Sequence, residues 1–234
     1  MRGLLVPKRR RGKEILDDPA TEPHVVRRSL ADVALANALF GGRRAVCREL
    51  ARVFSRARGA SLTLLDVGTG LGDLPAAARA LARDFGVALR TFALEASPVL
   101  AMSSRSPDLP MVRGTALALP FKDRSVDIVI CSQLLHHFED RTASLLLREM
   151  DRVARSAVVV SDLRRSWLAA AGIWLASWPL RFHPVSRHDG VVSVLRGYTV
   201  AELRALVECA TGRRAATRAR AGFRVATAWS PTEV

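Results

Sequence analysis

Apolar positions along the chain fall into two kinds of run that alternate. Leu62, Leu64, Leu65 and Val67 make a short, nearly continuous apolar stretch, the pattern of a parallel strand covered on both faces. Ahead of it, Val26, Leu30, Val33, Leu35, Leu39, Val46, Leu50 and Val53 recur at helical intervals interrupted by Gly41-Gly42, which predicts two helices within 24–58. Beyond it, leucines and alanines give a helix over 73–85, and Ala88 to Leu94 a second strand ending in Glu95. A short helix is expected from Ser97-Pro98, with Ser97 as its cap and Pro98 in its first turn. Met111–Gly114, Asp127–Ser132 and Ser156–Leu163 read as further strands, with a helix over 140–153 between the last two. Thr199-Val-Ala-Glu202 is a capping-box pattern opening another helix, and residues 215–229 read as two final strands around Gly222. Strands alternating with helices predict an α/β protein with a doubly wound, mostly parallel sheet.

The chemistry concentrates where the first strand ends. Gly68, Gly70 and Gly72 follow it directly; they remove three Cβ atoms and let backbone N–H groups approach a ligand near the start of the next helix. Residue 73 is Asp where a dinucleotide fingerprint needs its third glycine, which weakens an NAD reading. Asp66 stands two residues before Gly68, and Glu95 lies where a ribose-binding acid belongs. On these residues the chain resembles the class I S-adenosylmethionine (SAM)-dependent methyltransferases of small-molecule type, through Leu65-Asp-Val-Gly-Thr-Gly-Leu-Gly72 and the acid closing the second strand. The resemblance covers residues 62–163. It implies a seven-stranded Rossmann-like sheet whose last hairpin inserts one antiparallel strand, with N-terminal helices and a helical insert after strand five. It also implies SAM as cofactor, surrounded by Asp66, Gly68, Thr69, Gly70, Gly72, Glu95, Ala96, Thr115, Ala116 and Ser132. Thr115 is a departure, since the family commonly has an acid there and a hydroxyl accepts more weakly; backbone at Ala116 is the alternative partner for adenine. The leading helices of the family often fold over the cleft, which brings Asn37, Phe40 or the Gly41-Gly42 bend towards the ligand, or else they simply cover the sheet.

Gln133-Leu-Leu-His-His-Phe138 resembles the segment after strand four in small-molecule members. The Asp/Asn-Pro-Pro-Tyr turn of amino-group methyltransferases acting on nucleic acid is absent, as is a Pro-Cys pair. His136 and His137 stand at the carboxyl edge of the sheet, where doubly wound folds bind ligands, and histidine suits proton removal from a hydroxyl near neutrality. One of them is the expected base, unless both only line the helix start. Within the insert, 164–198, Trp167, Trp174 and Trp178 fall on one helical stripe, followed by His183 and His188. The stripe reads either as packing or as the wall of a lid over an apolar acceptor; a third reading lays the helix in a membrane interface with Arg164, Arg165 and Arg181 at its ends.

The 234 residues suffice for one well-buried domain, taken as 24–234, behind a flexible basic arm, 1–23. Net charge is +14, and apart from Lys8, Lys13 and Lys122 the basic residues are arginine, which reads as compositional bias more than as a nucleic-acid patch. Cys47, Cys131 and Cys209 form neither a disulfide framework nor a zinc set, so no metal is expected and the cytoplasm is the natural compartment. The longest apolar run, Trp167 to Leu180, is about 14 residues and too short to cross a bilayer. The expected partner is a small acceptor such as an aromatic, polyketide-like or lipid metabolite, without specific nucleic acid and with peripheral membrane contact left open. The alternatives are an RNA methyltransferase and a non-catalytic SAM-binding regulator.

Overall fold

The computed structural model describes residues 6–18, 20–97 and 109–232. The helix expected from Pro98 lies outside them. Among the described residues the helices are α1 (Pro23–Leu39), α2 (Gly42–Ser55), α3 (Asp73–Asp84), α4 (Asp140–Val153), α5 (Trp167–Ala176), α6 (Pro184–Arg196) and α7 (Val200–Thr211). The strands are β1 (Ser61–Val67), β2 (Ala88–Glu95), β3 (Met111–Arg113), β4 (Val126–Ser132), β5 (Ala154–Leu163), β6 (Ala216–Arg220) and β7 (Arg224–Trp229). They form one sheet in the order β3-β2-β1-β4-β5-β7-β6, parallel except for β7, which runs antiparallel to both β5 and β6.

The nearly continuous apolar runs follow from burial on both faces. Because side chains alternate across a strand, Leu65, Val129, Cys131, Val158 and Val160 meet Leu146, Leu147 and Met150 of α4 and Leu203 and Val207 of α7. Their neighbours Leu64, Ile128, Ile130 and Val159 meet Val46, Leu50 and Phe54 of α2 and Leu74 and Ala78 of α3. Each of the fully buried leucines contributes about 1.5–3 kcal/mol by leaving water. The capping box is formed: Thr199 Oγ1 accepts from the Glu202 amide and Glu202 Oε2 from the Thr199 amide.

Two expectations change. The segment read as a flexible arm is fastened over its described residues. The Asp189 carboxylate accepts the Ile15 and Leu16 amides at 2.9 and 3.0 Å, Glu14 accepts from Ser193 and Arg196, and Arg165 donates to the Pro7 carbonyl. Its partners stand on α6 and beyond β5, so nothing local announces the ordering. The insert is two helices, packed at the end of β5 through Leu163, Ala169, Ala170, Val194 and Leu195. The β6–β7 turn presses on the α1–α2 corner: Gly222 has φ +71°, and a Cβ there would overlap the Phe40 carbonyl oxygen.

Candidate active site

At the carboxyl edge the first glycine turn is held by the Leu94 carbonyl, which accepts the Gly68 and Thr69 amides. Gly68, Gly70 and Gly72 all have left-handed φ, and the space where a Gly70 Cβ would point is open within 4 Å, leaving the backbone accessible to a ligand. Glu95 bridges the turn, accepting the Gly70 amide at 3.0 Å and the Ser97 amide at 2.9 Å. Asp66 is fully buried and accepts from Thr69 Oγ1 at 2.7 Å, while its Oδ1 has no partner. Burial pushes its pKa up to about 7, the Thr69 hydrogen bond opposing the shift and Asp73 and Glu95 adding to it. The open glycine turn with the Glu95 carboxylate beside it fits a ligand that carries a ribose, as SAM does, while the orphaned Asp66 oxygen stays buried behind the cavity lining.

A cavity of about 550 Å³ runs from Gly68, Gly70 and Glu95 past Leu134, His136 and His137 to a wall built from Leu16, Phe40, Ile173, Phe182 and Phe223. Among the described residues Asp66, Thr69, Gly72, Ala96, Thr115, Ala116 and Ser132 do not line it. Thr115 is exposed, and its hydroxyl accepts the Leu117 amide. Phe40 reaches the cavity, and Asn37 stands beside Gln133 of its wall, which hydrogen-bonds to it.

His136 is the best-positioned polar group. Its Nδ1 lies 2.6 Å from Asp162 Oδ1, and its own amide donates to Asp162 Oδ2 at 3.0 Å. Its Nε2 has no hydrogen-bond partner, Glu14 Oε1 being 3.6 Å away. Burial disfavours the imidazolium, but Asp162 and Glu14 outweigh it and raise the pKa to about 9. Asp162 lies below the ordinary carboxylate range: burial opposes its ionisation, and the charge and hydrogen bonds of His136 prevail. His137 is more exposed and pairs with Asp17 at 2.9 Å. Glu14, His136 and His137 offer ligand atoms within 4.8 Å of one another, enough to approach a metal ion.

The remaining expectations for substrate contact are corrected. Trp167, Trp174 and Trp178 are 42%, 47% and 55% exposed and do not line the cavity, because α5 turns Ala169, Gly172 and Ile173 inward, with Leu168 at the edge, which leaves 167 and 174 on its opposite side; Trp178 follows in the turn beyond the helix. His183 caps α6 through the Val185 amide, and His188 pairs with Asp189; neither reaches the cavity. Sequence reasoning missed Asp162, Glu14, Gln133 and Arg224. Asp162 had a signal, an acid closing the apolar run of β5. Arg224 had none among so many arginines, yet it is buried, donates to Gln133 at 3.1 Å and lines the cavity.

Residues 65–160 match the family model described as "Methyltransferase domain". The match, with the sheet order and the glycine turn around it, identifies a SAM-dependent methyltransferase domain of the class I fold within the chain. A SAM-dependent methyltransferase from Aquifex aeolicus is similar at 14% identity over 90% of this chain and 99% of that one, with a TM-score of 0.59. Human N-acetylserotonin methyltransferase, solved in complex with SAM, covers 92% of this chain and 60% of its own at 15% identity and a TM-score of 0.57. Magnesium protoporphyrin IX methyltransferase from Synechocystis PCC 6803, with bound SAH, gives 16% identity, 81% and 83% coverage and 0.54. Likenesses this remote in sequence establish the fold. No curated protein matches the sequence.

Replacing Glu95 with Ala is expected to weaken SAM binding by about 1–3 kcal/mol, the cost of losing a charge-assisted hydrogen-bonding partner, as titration calorimetry would register. Unchanged affinity would take Glu95 out of the ribose site.

Proposed function

We propose that this enzyme methylates a hydroxyl oxygen of a small, largely apolar acceptor seated in the cavity, with His136 receiving the hydroxyl proton and Glu95 and the Gly68–Gly72 turn holding the cofactor. The observation that carries the reading is the Nε2 of a buried histidine, without a hydrogen-bond partner though Glu14 stands 3.6 Å away, clamped from behind by Asp162 beside a mainly apolar cavity shared with the glycine turn. The acids of the wall support it by being engaged elsewhere: Asp32 accepts from Ser186 and the His183 amide, Asp189 from the Ile15 and Leu16 amides, and Glu14 from Ser193 and Arg196. They fasten the wall, and the space between them is left to aliphatic and phenyl groups.

SAM, when bound, supplies an electrophilic methyl group on a sulfonium. The protein's contribution is then alignment, exclusion of water and a destination for the proton. Pairing of surface arginines with acids, as in Arg155–Asp127 and Arg152–Asp123, supports a dispersed basic excess over a nucleic-acid site.

Methyl transfer from labelled SAM to a panel of phenols and aliphatic alcohols tests the reading. Gly172 lines the cavity with open space beside it, so Gly172→Phe is expected to raise the acceptor KM about tenfold or more while leaving SAM affinity unchanged. A KM that does not move would remove the acceptor from the α5 wall, and transfer confined to RNA would overturn the small-molecule reading.

A further inference from the structure

Between Arg165 and Arg181 the chain carries no charged side chain, and α5 is apolar all round. One side packs on the protein through Ala169 and Ala170. The other is left uncovered: Trp167, Leu168, Trp174, Leu175 and Trp178 are all between 42% and 60% exposed. Five large apolar groups concentrated on so short a segment go beyond the scattered exposure normal for a surface. At about 1.5 Å per residue this ten-residue helix reaches about 15 Å, half the thickness of a hydrocarbon core; no described helix is long and apolar enough to cross one.

Cations edge this face. The Arg10 guanidinium lies over the Trp167 ring at 5.1 Å and the Arg187 guanidinium over Trp178 at 3.7 Å. Arg10 belongs to the exposed basic run that includes Lys8, Arg11 and Lys13, and at the opposite end of the helix Arg181 is exposed. A protein partner burying these indoles would have to desolvate the stacked guanidinium groups. A phosphate-bearing surface takes both, since indoles suit the headgroup level and arginines pair there with phosphate.

We infer that the outer face of α5 docks the protein on the surface of an anionic lipid bilayer, with Trp167, Trp174 and Trp178 entering the headgroup layer and the arginines on either side meeting lipid phosphates. The cavity opens beside that face: Leu168 and Val33 line it and are themselves 56% and 38% exposed. The docked orientation therefore sets the cavity mouth against the bilayer, within reach of molecules dissolved in it. This inference is independent of which atom the enzyme methylates.

The test is co-sedimentation of the full chain with vesicles of phosphatidylcholine alone and of phosphatidylcholine mixed with phosphatidylglycerol. Binding to the anionic vesicles is expected, accompanied by a blue shift of tryptophan emission, and neutral vesicles should bind about tenfold or more weakly. The double variant Trp174→Ser, Trp178→Ser should lose binding by about tenfold or more while keeping its melting temperature and SAM affinity, because both side chains point outward. Failure of the wild type to bind, equal binding to neutral vesicles, or full binding by the folded double variant would overturn the inference. So would a dimer that this variant dissolves without any vesicle binding, which would give the face to a second copy of the chain.

Discussion

Replacing His136 with Asn is expected to slow the chemical step by about 10²–10⁴-fold, the usual yield of a positioned base, with SAM affinity nearly unchanged. Asn is the informative choice because its amide nitrogen takes the place of Nδ1 and keeps a donor on Asp162, while Nε2 disappears; it also removes the positive charge that Asp162 and Glu14 face, so the melting temperature is read beside the rate. The pH dependence gives a second readout. Only the neutral imidazole accepts a proton, and the pKa is raised from 6.5 to about 9, so at pH 7 about one molecule in a hundred holds it ready. The rate of the wild type should therefore climb about tenfold per pH unit between pH 7 and 8 and level off near 9. Scarcity is partly offset, because a base this strong is better matched to a phenol of pKa about 10. Single-turnover rates across pH check both points; a variant that keeps the rate and the slope would leave His136 a structural residue only.

Gly222→Ala is expected to cost about 2–4 kcal/mol, combining a left-handed conformation that Ala disfavours with a contact that cannot be accommodated. The Phe40 carbonyl is backbone, so relief requires the β6–β7 turn and the α1–α2 corner to move apart. A melting temperature lower by about 5–15 °C follows for a chain of this size. Gly212→Ala is the control: its φ is +69° but nothing lies within 4 Å of the added Cβ, so only the conformational cost of about 1–2 kcal/mol applies. Equal losses in the two variants would mean that the corner gives way freely. Because Phe40, Gly222 and Phe223 share the cavity wall, the first variant should also loosen acceptor binding.

The elements legible in the sequence were those whose evidence is local. The core strands announce themselves by apolar runs, the glycine turn and Glu95 by their positions around two strand ends, and the Thr199 cap by its spacing to Glu202. Asp140–Val153 and Ala88–Glu95 have the bounds that the pattern gave. What the sequence hid depends on contacts between distant segments. Glu14 and Asp17 look like solvated charges of an arm, yet they meet His137 and Arg196. The indole stripe was visible, but periodicity gives a face and not the direction it points; Ala169 and Ala170 decided that by allowing the close approach. His136 and His137 are equivalent in sequence, and only the Asp162 carboxylate under the first tells them apart.

The two ends of the cavity differ in how they are assembled. The end beside Glu95 comes from one short continuous stretch, the close of β1 through the close of β2, in which almost every position answers to turn geometry or to strand burial. The opposite end gathers single residues from the N-terminal segment, α1, α5, α6 and the β6–β7 turn, none of which shapes the glycine turn. Such a division leaves room for divergence. On the proposed reading, a descendant of this chain could exchange its acceptor through a handful of independent substitutions in those far segments, each tried separately, while the glycine turn and Glu95 pass down intact.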